Sequence, residues 1–415
     1  MYRIKYGANK TKITVVGSEI DQNYFSDVKP WTMDNQVVKV VIDNEHLGQT
    51  VSGTNQENKN IDLRLEKGRK NLYSFLGAGF SYKCLLSPVL KLHIFRTFTC
   101  PVARSGLSSF SLRSSSLEPL SIFHRKTLKS ILKLSITAPT PSIHFLTGEL
   151  PIEGKIHRDI FSVFFSIWSN PDTKVYDIVK YLLEHSNENS RTWSAHIRHL
   201  STKYELEDPL MCLRRDPPTK SEYKEYIATR ITVYYEKLLR QSAASIDQMK
   251  YLNVATIGLK GRHHPALANM SSAQDVRLSR PHIKFLAGNY LTYQIKSEQS
   301  GGSPLCRICP TECTETVSHV ISTCTGMAAE RGRLLIEYSQ LCKKTMNHIE
   351  FDEILKNEDT LCQFILDPLS LNLQTRVSLS DPLVPDFYKL SRDFCHIIDK
   401  TRLRLLKDKQ NNVNT

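Results

Sequence analysis

No stretch of 18 or more apolar residues occurs in the 415-residue sequence, which excludes a membrane-spanning helix of ordinary length. The opening Met1-Tyr2-Arg3-Ile4-Lys5 is not followed by the apolar run of a secretory signal, so an intracellular protein is expected, in nucleus or cytoplasm, with no membrane partner. There is no Asp-Asp pair and no repeat of fixed period. Acidic charge is short: 42 Asp and Glu face 55 Lys and Arg, and the net +13 points to a polyanionic partner, most simply nucleic acid. The surplus is uneven, since residues 51–150 hold 14 basic and 5 acidic residues whereas residues 351–400 hold 5 and 9. With 40% hydrophobic and 23% charged residues, the chain has apolar material for more than one core, and its length suits two to three domains.

The pattern along the chain predicts a mainly α protein with a small N-terminal β-rich part. Lys12-Ile13-Thr14-Val15-Val16-Gly17 and Gln36 to Ile42 are β-branched runs bounded by Asn, Asp and Gly, as strands are. Ile61, Leu65, Leu72, Phe75 and Leu76 then recur at helical spacing until Gly77 and Gly79. Further helices are expected over 88–98, 120–134, 156–168, 175–183, 222–239, 276–291, 328–342, 352–366 and 387–406. The serine-rich stretch from Leu107 to Leu120 reads as a mobile connection, and Leu213-Arg214-Arg215-Asp216-Pro217-Pro218 as a linker.

The sharpest chemical signal is Cys306-Arg307-Ile308-Cys309, nine residues, His319, four residues, Cys324. Cys-x2-Cys lets a tight turn aim two thiolates at one cation, and His-x4-Cys sets a second pair about one helical turn apart. Three sulfurs and an imidazole suit a closed structural Zn2+ site without an open catalytic position. Cys313 lies inside the loop and is an alternative ligand; the remaining cysteines read as small buried hydrophobes. His263-His264 before Pro265 reads as plain loop, and Glu207-Asp208 before Pro209 as a solvated acidic pair.

In both spacing and flanking residues, Pro304 to Cys309, Thr314 to Cys324 and Glu330-Arg331-Gly332-Arg333-Leu334 resemble the zinc-binding domain of reverse transcriptases from non-LTR (LINE-type) retrotransposons. Arg280-Pro281-His282-Ile283-Lys284-Phe285-Leu286-Ala287-Gly288-Asn289-Tyr290 resembles the helix leading into that metal site. Phe364 to Pro368, Ser391 to Cys395 and Arg402-Leu403-Arg404 resemble the family's closing helix. At the other end, Lys5 to Gly17 is similar to the last lysine-bearing palm motif, His46-Leu47-Gly48 to the primer-grip turn, and residues 60–80 with Leu86-Ser87-Pro88 and Pro101 to the thumb.

The resemblance implies five consecutive parts: a palm remnant (1–55), a thumb-like helical region (56–135), a helical connection (136–255), a zinc-binding module (256–345) and a C-terminal helical tail (346–415). In the family the metal-binding palm aspartates lie upstream of the lysine motif, and this chain begins after them. Mg2+ chemistry is therefore expected only if that palm is supplied, and the chain as it stands is expected to be no enzyme. The family's motif lysine, matched by Lys10 or Lys12, loses its proton-transfer role without those aspartates. What remains is binding of RNA or DNA with low sequence specificity, through Lys10, Lys12, Lys67, Arg69, Lys70, Arg307, Arg331 and Arg333 as phosphate contacts. A protein–protein adaptor, or a functionless product of such an element, is the alternative.

Overall fold

The computed structural model describes residues 11–15, 31–33, 35–46, 48–52, 55–80, 84–186, 190, 192–255, 257–259, 261–268, 270, 272–344, 348–371 and 382–413. The described chain is mostly helical, with three two-stranded sheets near its beginning. It divides into two compact units drawn from interleaved stretches, not from consecutive blocks: residues 1–73, 98–123 and 152–230 form the first, and residues 74–97, 124–151 and 231–415 the second.

In the first unit, β1 (Lys12–Ile13) pairs in parallel with β4 (Lys39–Val40), β2 (Thr32–Met33) with β3 (Gln36–Val37), and β5 (Asp43–His46) forms a hairpin with β6 (Gln49–Ser52). The strand expected over 36–42 is thus two short pieces. Helix α1 (Gln56–Gly77) follows; along the chain come α2 (Pro88–Ile94), of the second unit, α3 (Cys100–Arg104), of the first, α4 (Glu118–Ile131), which runs from the first unit's residues into the second's, α5 (Thr140–Thr147), of the second, then the first unit's α6 (Ile152–Trp168), α7 (Lys174–His185), α8 (Trp193–Lys203) and α9 (Pro209–Cys212), and α10 (Lys220–Ala244), which begins in the first unit.

The first unit's core is aromatic. Phe165 stacks on Tyr223 with ring centres 4.9 Å apart, and Trp168 meets Tyr223 edge-on at 5.9 Å. The segment read as a linker is packed against this core: the Trp168 indole donates to the Arg215 carbonyl (2.8 Å), Tyr176 donates to that of Leu213 (2.8 Å), and Leu213 is buried. Glu207-Asp208 is also committed rather than merely solvated. Glu207 pairs with Arg215, while Asp208 caps α9 through Leu210 N (2.8 Å) and pairs with Arg198 (3.2 Å).

The second unit is built on the last helix. Its helices include α11 (Pro265–Ala268), α12 (Ala273–Leu286), α13 (Tyr293–Ser300), α14 (Ala328–Cys342), α15 (His348–Lys356), α16 (Glu358–Leu366) and α17 (Val384–Val413), and α12 and α14 pack on α17. Tyr338 is fully buried among Phe364 and Phe394, its hydroxyl 2.8 Å from Ser391 Oγ. Two expected helices stop early for visible reasons. Gly288 adopts φ +63°, and a Cβ there would fall 2.7 Å from the Gln248 carbonyl oxygen, so α12 ends before it. Asn357 accepts from Thr360 N (2.9 Å) and starts a new helix, dividing 352–366 into α15 and α16.

His263-His264 lies in loop, as expected, but His264 has a fixed buried place there. His264 is fully buried: its Nδ1 accepts from Ala266 N (3.1 Å) and its Nε2 lies 3.5 Å from the buried Asp367 carboxylate. Asp367 also accepts from Tyr388 (2.5 Å) and from Asn253 N (3.0 Å). Burial alone would raise this carboxyl, but His264 and the two donors hold it below the usual carboxylate range.

Candidate metal centre

Residues 304–324 bring four ligand atoms together by two backbone devices. The first is a narrow ribbon: Leu305 bridges Thr314, Cys306 N donates to Cys313 O (2.8 Å) and Glu315 N donates to Pro304 O (2.9 Å), closing the loop that carries Cys306 and Cys309. The second is a π turn over His319–Thr323, in which Cys324 N donates five residues back to His319 O (2.8 Å). This wider turn places the His319 and Cys324 side chains on one side. Thr316 Oγ1 accepts from His319 N (2.9 Å) at its start.

Cys306, Cys309, His319 and Cys324 are all buried, and their ligand atoms lie within 4.8 Å of one another. Cys306 Sγ and Cys324 Sγ are 3.9 Å apart, and Cys309 Sγ is 3.5 Å from His319 Nε2. A tetrahedral ion bound at ~2.3 Å by sulfur and ~2.0 Å by nitrogen sets edges of about 3.8 Å and 3.5 Å. The buried Cys3His group therefore has the shape of a metal site. Cys313 is exposed and contributes its carbonyl to the ribbon, so it stands outside the set.

The electrostatics agree with this donor set. Burial pushes the Cys306 thiol up, and pushes that of Cys324 up to about 12. At Cys309 burial is outweighed by hydrogen bonds, notably from Thr311, and the thiol sits below its ordinary value. Burial also lowers His319, favouring the neutral imidazole that a cation requires. Three packed sulfurs need a cation to be deprotonated together, which is what a bound metal supplies. Outer partners hold the ligands: Thr311 Oγ1 donates to Cys309 Sγ (3.3 Å), Thr323 Oγ1 lies 3.3 Å from His319 Nδ1, and Ile308 N donates to Cys306 Sγ (3.4 Å).

The expected phosphate contacts are placed unevenly. Lys10 lies outside the described residues. Lys12 is exposed on β1 and Arg69 is exposed on α1, but Lys67 pairs with Glu45 (2.9 Å) and Lys70 with Glu66 (2.5 Å). Arg307 is exposed and lies over the Tyr293 ring, 4.5 Å from its centre. Arg331 does not face solvent: it is buried and donates to the Cys324 carbonyl (2.9 Å), bracing the metal loop. Arg333 is exposed, 3.5 Å from Glu330.

Sequence reading missed the partners of Arg333. A groove of about 580 Å³ between α14 and α17 is lined by Arg333, Lys400, Arg404 and Lys407, with Glu330 its one acidic side chain. Positions 400, 404 and 407 share one helix face, and that spacing was the available signal.

The chain matches no known family model, and no curated protein and no solved structure matches it.

Proposed function

We propose that the chain is a nucleic-acid-binding protein, derived from a non-LTR retrotransposon reverse transcriptase, in which Zn2+ at Cys306, Cys309, His319 and Cys324 has a structural role. Zinc is favoured because three thiolates and an imidazole, in a closed tetrahedral set without a carboxylate or open position, match its preference. A structural role is favoured because four protein ligands fill the tetrahedral set and leave no position for a substrate.

The observation that carries the binding reading is the basic groove of α14 and α17. Lys400, Arg404 and Lys407 make no ion pair with any described residue, and α14 begins four residues after Cys324. Lysine and arginine on one face neutralise successive phosphates without reading bases, so binding is sequence-independent and steeply salt-dependent. Arg307, exposed on the metal loop, is a separate candidate phosphate contact.

The test is fluorescence anisotropy with a labelled single strand, RNA and DNA in turn, over a range of salt. Replacing Lys400, Arg404 and Lys407 together by Ala is expected to flatten the slope of log K against log salt by about two to three. No binding at low salt, or an unchanged slope in the triple variant, would contradict the proposal. Association with a protein that survives nuclease treatment, in a chain that binds no nucleic acid, would favour the adaptor reading instead.

A further inference from the structure

The serine-rich stretch, expected to be a mobile connection, is packed in the first unit. The Trp193 indole donates to the Ser108 carbonyl (2.9 Å), Ser114 Oγ donates to Glu153 (2.9 Å), and Leu107, Leu112 and Leu117 are buried. Its residues 111–116 form a wall of a cavity of about 510 Å³. That volume falls within the ~300–1,000 Å³ of small-molecule sites.

The lining is rich in donors. Arg113 enters from the loop and makes no ion pair with any described residue. His196, His199 and Lys203 lie along one face of α8, at the i, i+3, i+7 spacing. Lys203 is held 3.0 Å from Glu153, which fixes its position. Ser111 and Ser116 add hydroxyls, while the Ser114 proton is already given to Glu153, and Glu57 is the carboxylate of the lining itself. Burial lowers His196 to about 4, so its ring is neutral near pH 7, and its covered Nε2 makes no hydrogen bond.

We infer that this cavity binds a phosphate monoester, with Arg113 and Lys203 meeting the charge and the Ser111 and Ser116 hydroxyls and the His199 ring meeting the remaining oxygens. A carboxylate offers two oxygens to this many donors, whereas a terminal phosphoryl group offers three, and the guanidinium fork suits it. The volume leaves space for the group that carries the phosphate. The phosphate belongs either to a free metabolite or to the 5′ end of a nucleic-acid strand. The inference uses neither the metal residues nor the α14–α17 groove, so it stands or falls apart from the proposed function.

The experiment is isothermal titration of the full chain with inorganic phosphate, adenosine 5′-monophosphate and adenosine. The two phosphate-bearing probes should bind and adenosine should not. Arg113→Ala, at an exposed position that leaves the fold intact, should weaken the monophosphate about tenfold, the loss of one charge-assisted contact. The Lys400, Arg404 and Lys407 triple variant should leave it unchanged. A 5′-phosphorylated oligonucleotide preferred over its 5′-hydroxyl form, with the preference lost in Arg113→Ala, assigns the site to a strand end; equal binding of the two assigns it to a free phosphorylated molecule. Failure of both phosphate probes to bind, equal binding of adenosine, or an unchanged affinity in Arg113→Ala overturns the inference.

Discussion

Arg402 and Glu315 form a buried, two-pronged ion pair that ties the last helix to the metal loop. Arg402 Nε donates to Glu315 Oε1 (2.9 Å) and Nη2 to Oε2 (2.8 Å), and Tyr293 N donates to Oε2 (2.7 Å). The guanidinium lies over the rings of Tyr290 and Tyr293, 5.5 and 5.8 Å from their centres. Burial works against its charge, yet the Glu315 hydrogen bonds outweigh that and raise its proton affinity above the ordinary value. Glu315 precedes His319 by four residues, so the pair fixes the approach to the second half of the ligand set.

Removing one partner leaves an uncompensated buried charge. Arg402→Met should therefore destabilise the protein by about 3–5 kcal/mol, while adding Glu315→Leu should recover much of the loss. Urea denaturation of the single and double variants checks this. A single variant within about 1 kcal/mol of the parent would contradict it.

His282 predicts an acid limb. Its Nε2–H donates to the Leu366 carbonyl (2.6 Å) and the ring is fully buried, which lowers its pKa from 6.5 to about 4. In the unfolded chain the ring takes up a proton near 6.5, whereas the folded ring resists protonation down to about 4. Stability from the neutral ring is thus complete above pH 6.5 and lost progressively toward pH 4, by about 3 kcal/mol across that window. His282→Asn should lose correspondingly less stability than the parent between pH 7 and pH 4. Identical pH slopes in parent and variant would rule this out.

Gly326 follows the last ligand closely, and a Cβ there would lie 2.4 Å from Ile308 Cγ2, a methyl on a stiff branched side chain. Gly326→Ala should cost about 1–3 kcal/mol by overpacking and loosen the Cys-x2-Cys turn. Ile308→Ala in the same chain should restore part of the metal affinity. Thermal unfolding and competition with a chromophoric chelator measure both effects, and wild-type affinity in Gly326→Ala would show that the close approach is unimportant.

The Cys3His cluster was legible from the sequence because its spacing is local: each pair is within five residues, and only the two halves have to meet. The amphipathic helices were legible for the same reason. Helix α5 was not, because residues 141–147 are all buried and leave no polar face to set a period. The buried roles of His264 and Arg331 depend on Asp367 and on the Cys324 carbonyl, and the groove needs two helices far apart in the chain. Local pattern carries no trace of such long-range partners. The resemblance to reverse transcriptases led to Arg331 and Arg333 alike, and burial then separated them.

The most direct test of the metal centre is cobalt substitution of the purified chain. One Co2+ per chain, with thiolate charge-transfer bands and the intense visible bands of a tetrahedral ion, is the expected result, displaced by an equivalent of Zn2+. Cys324→Ser should abolish or shift those bands and leave residues 304–324 open to limited proteolysis, as chelation should in the parent, because the binding energy of a structural site is largely folding energy. Cys313→Ser should leave the spectrum unchanged. A chain that binds no metal, or one whose bands survive Cys324→Ser and vanish in Cys313→Ser, would contradict the site described.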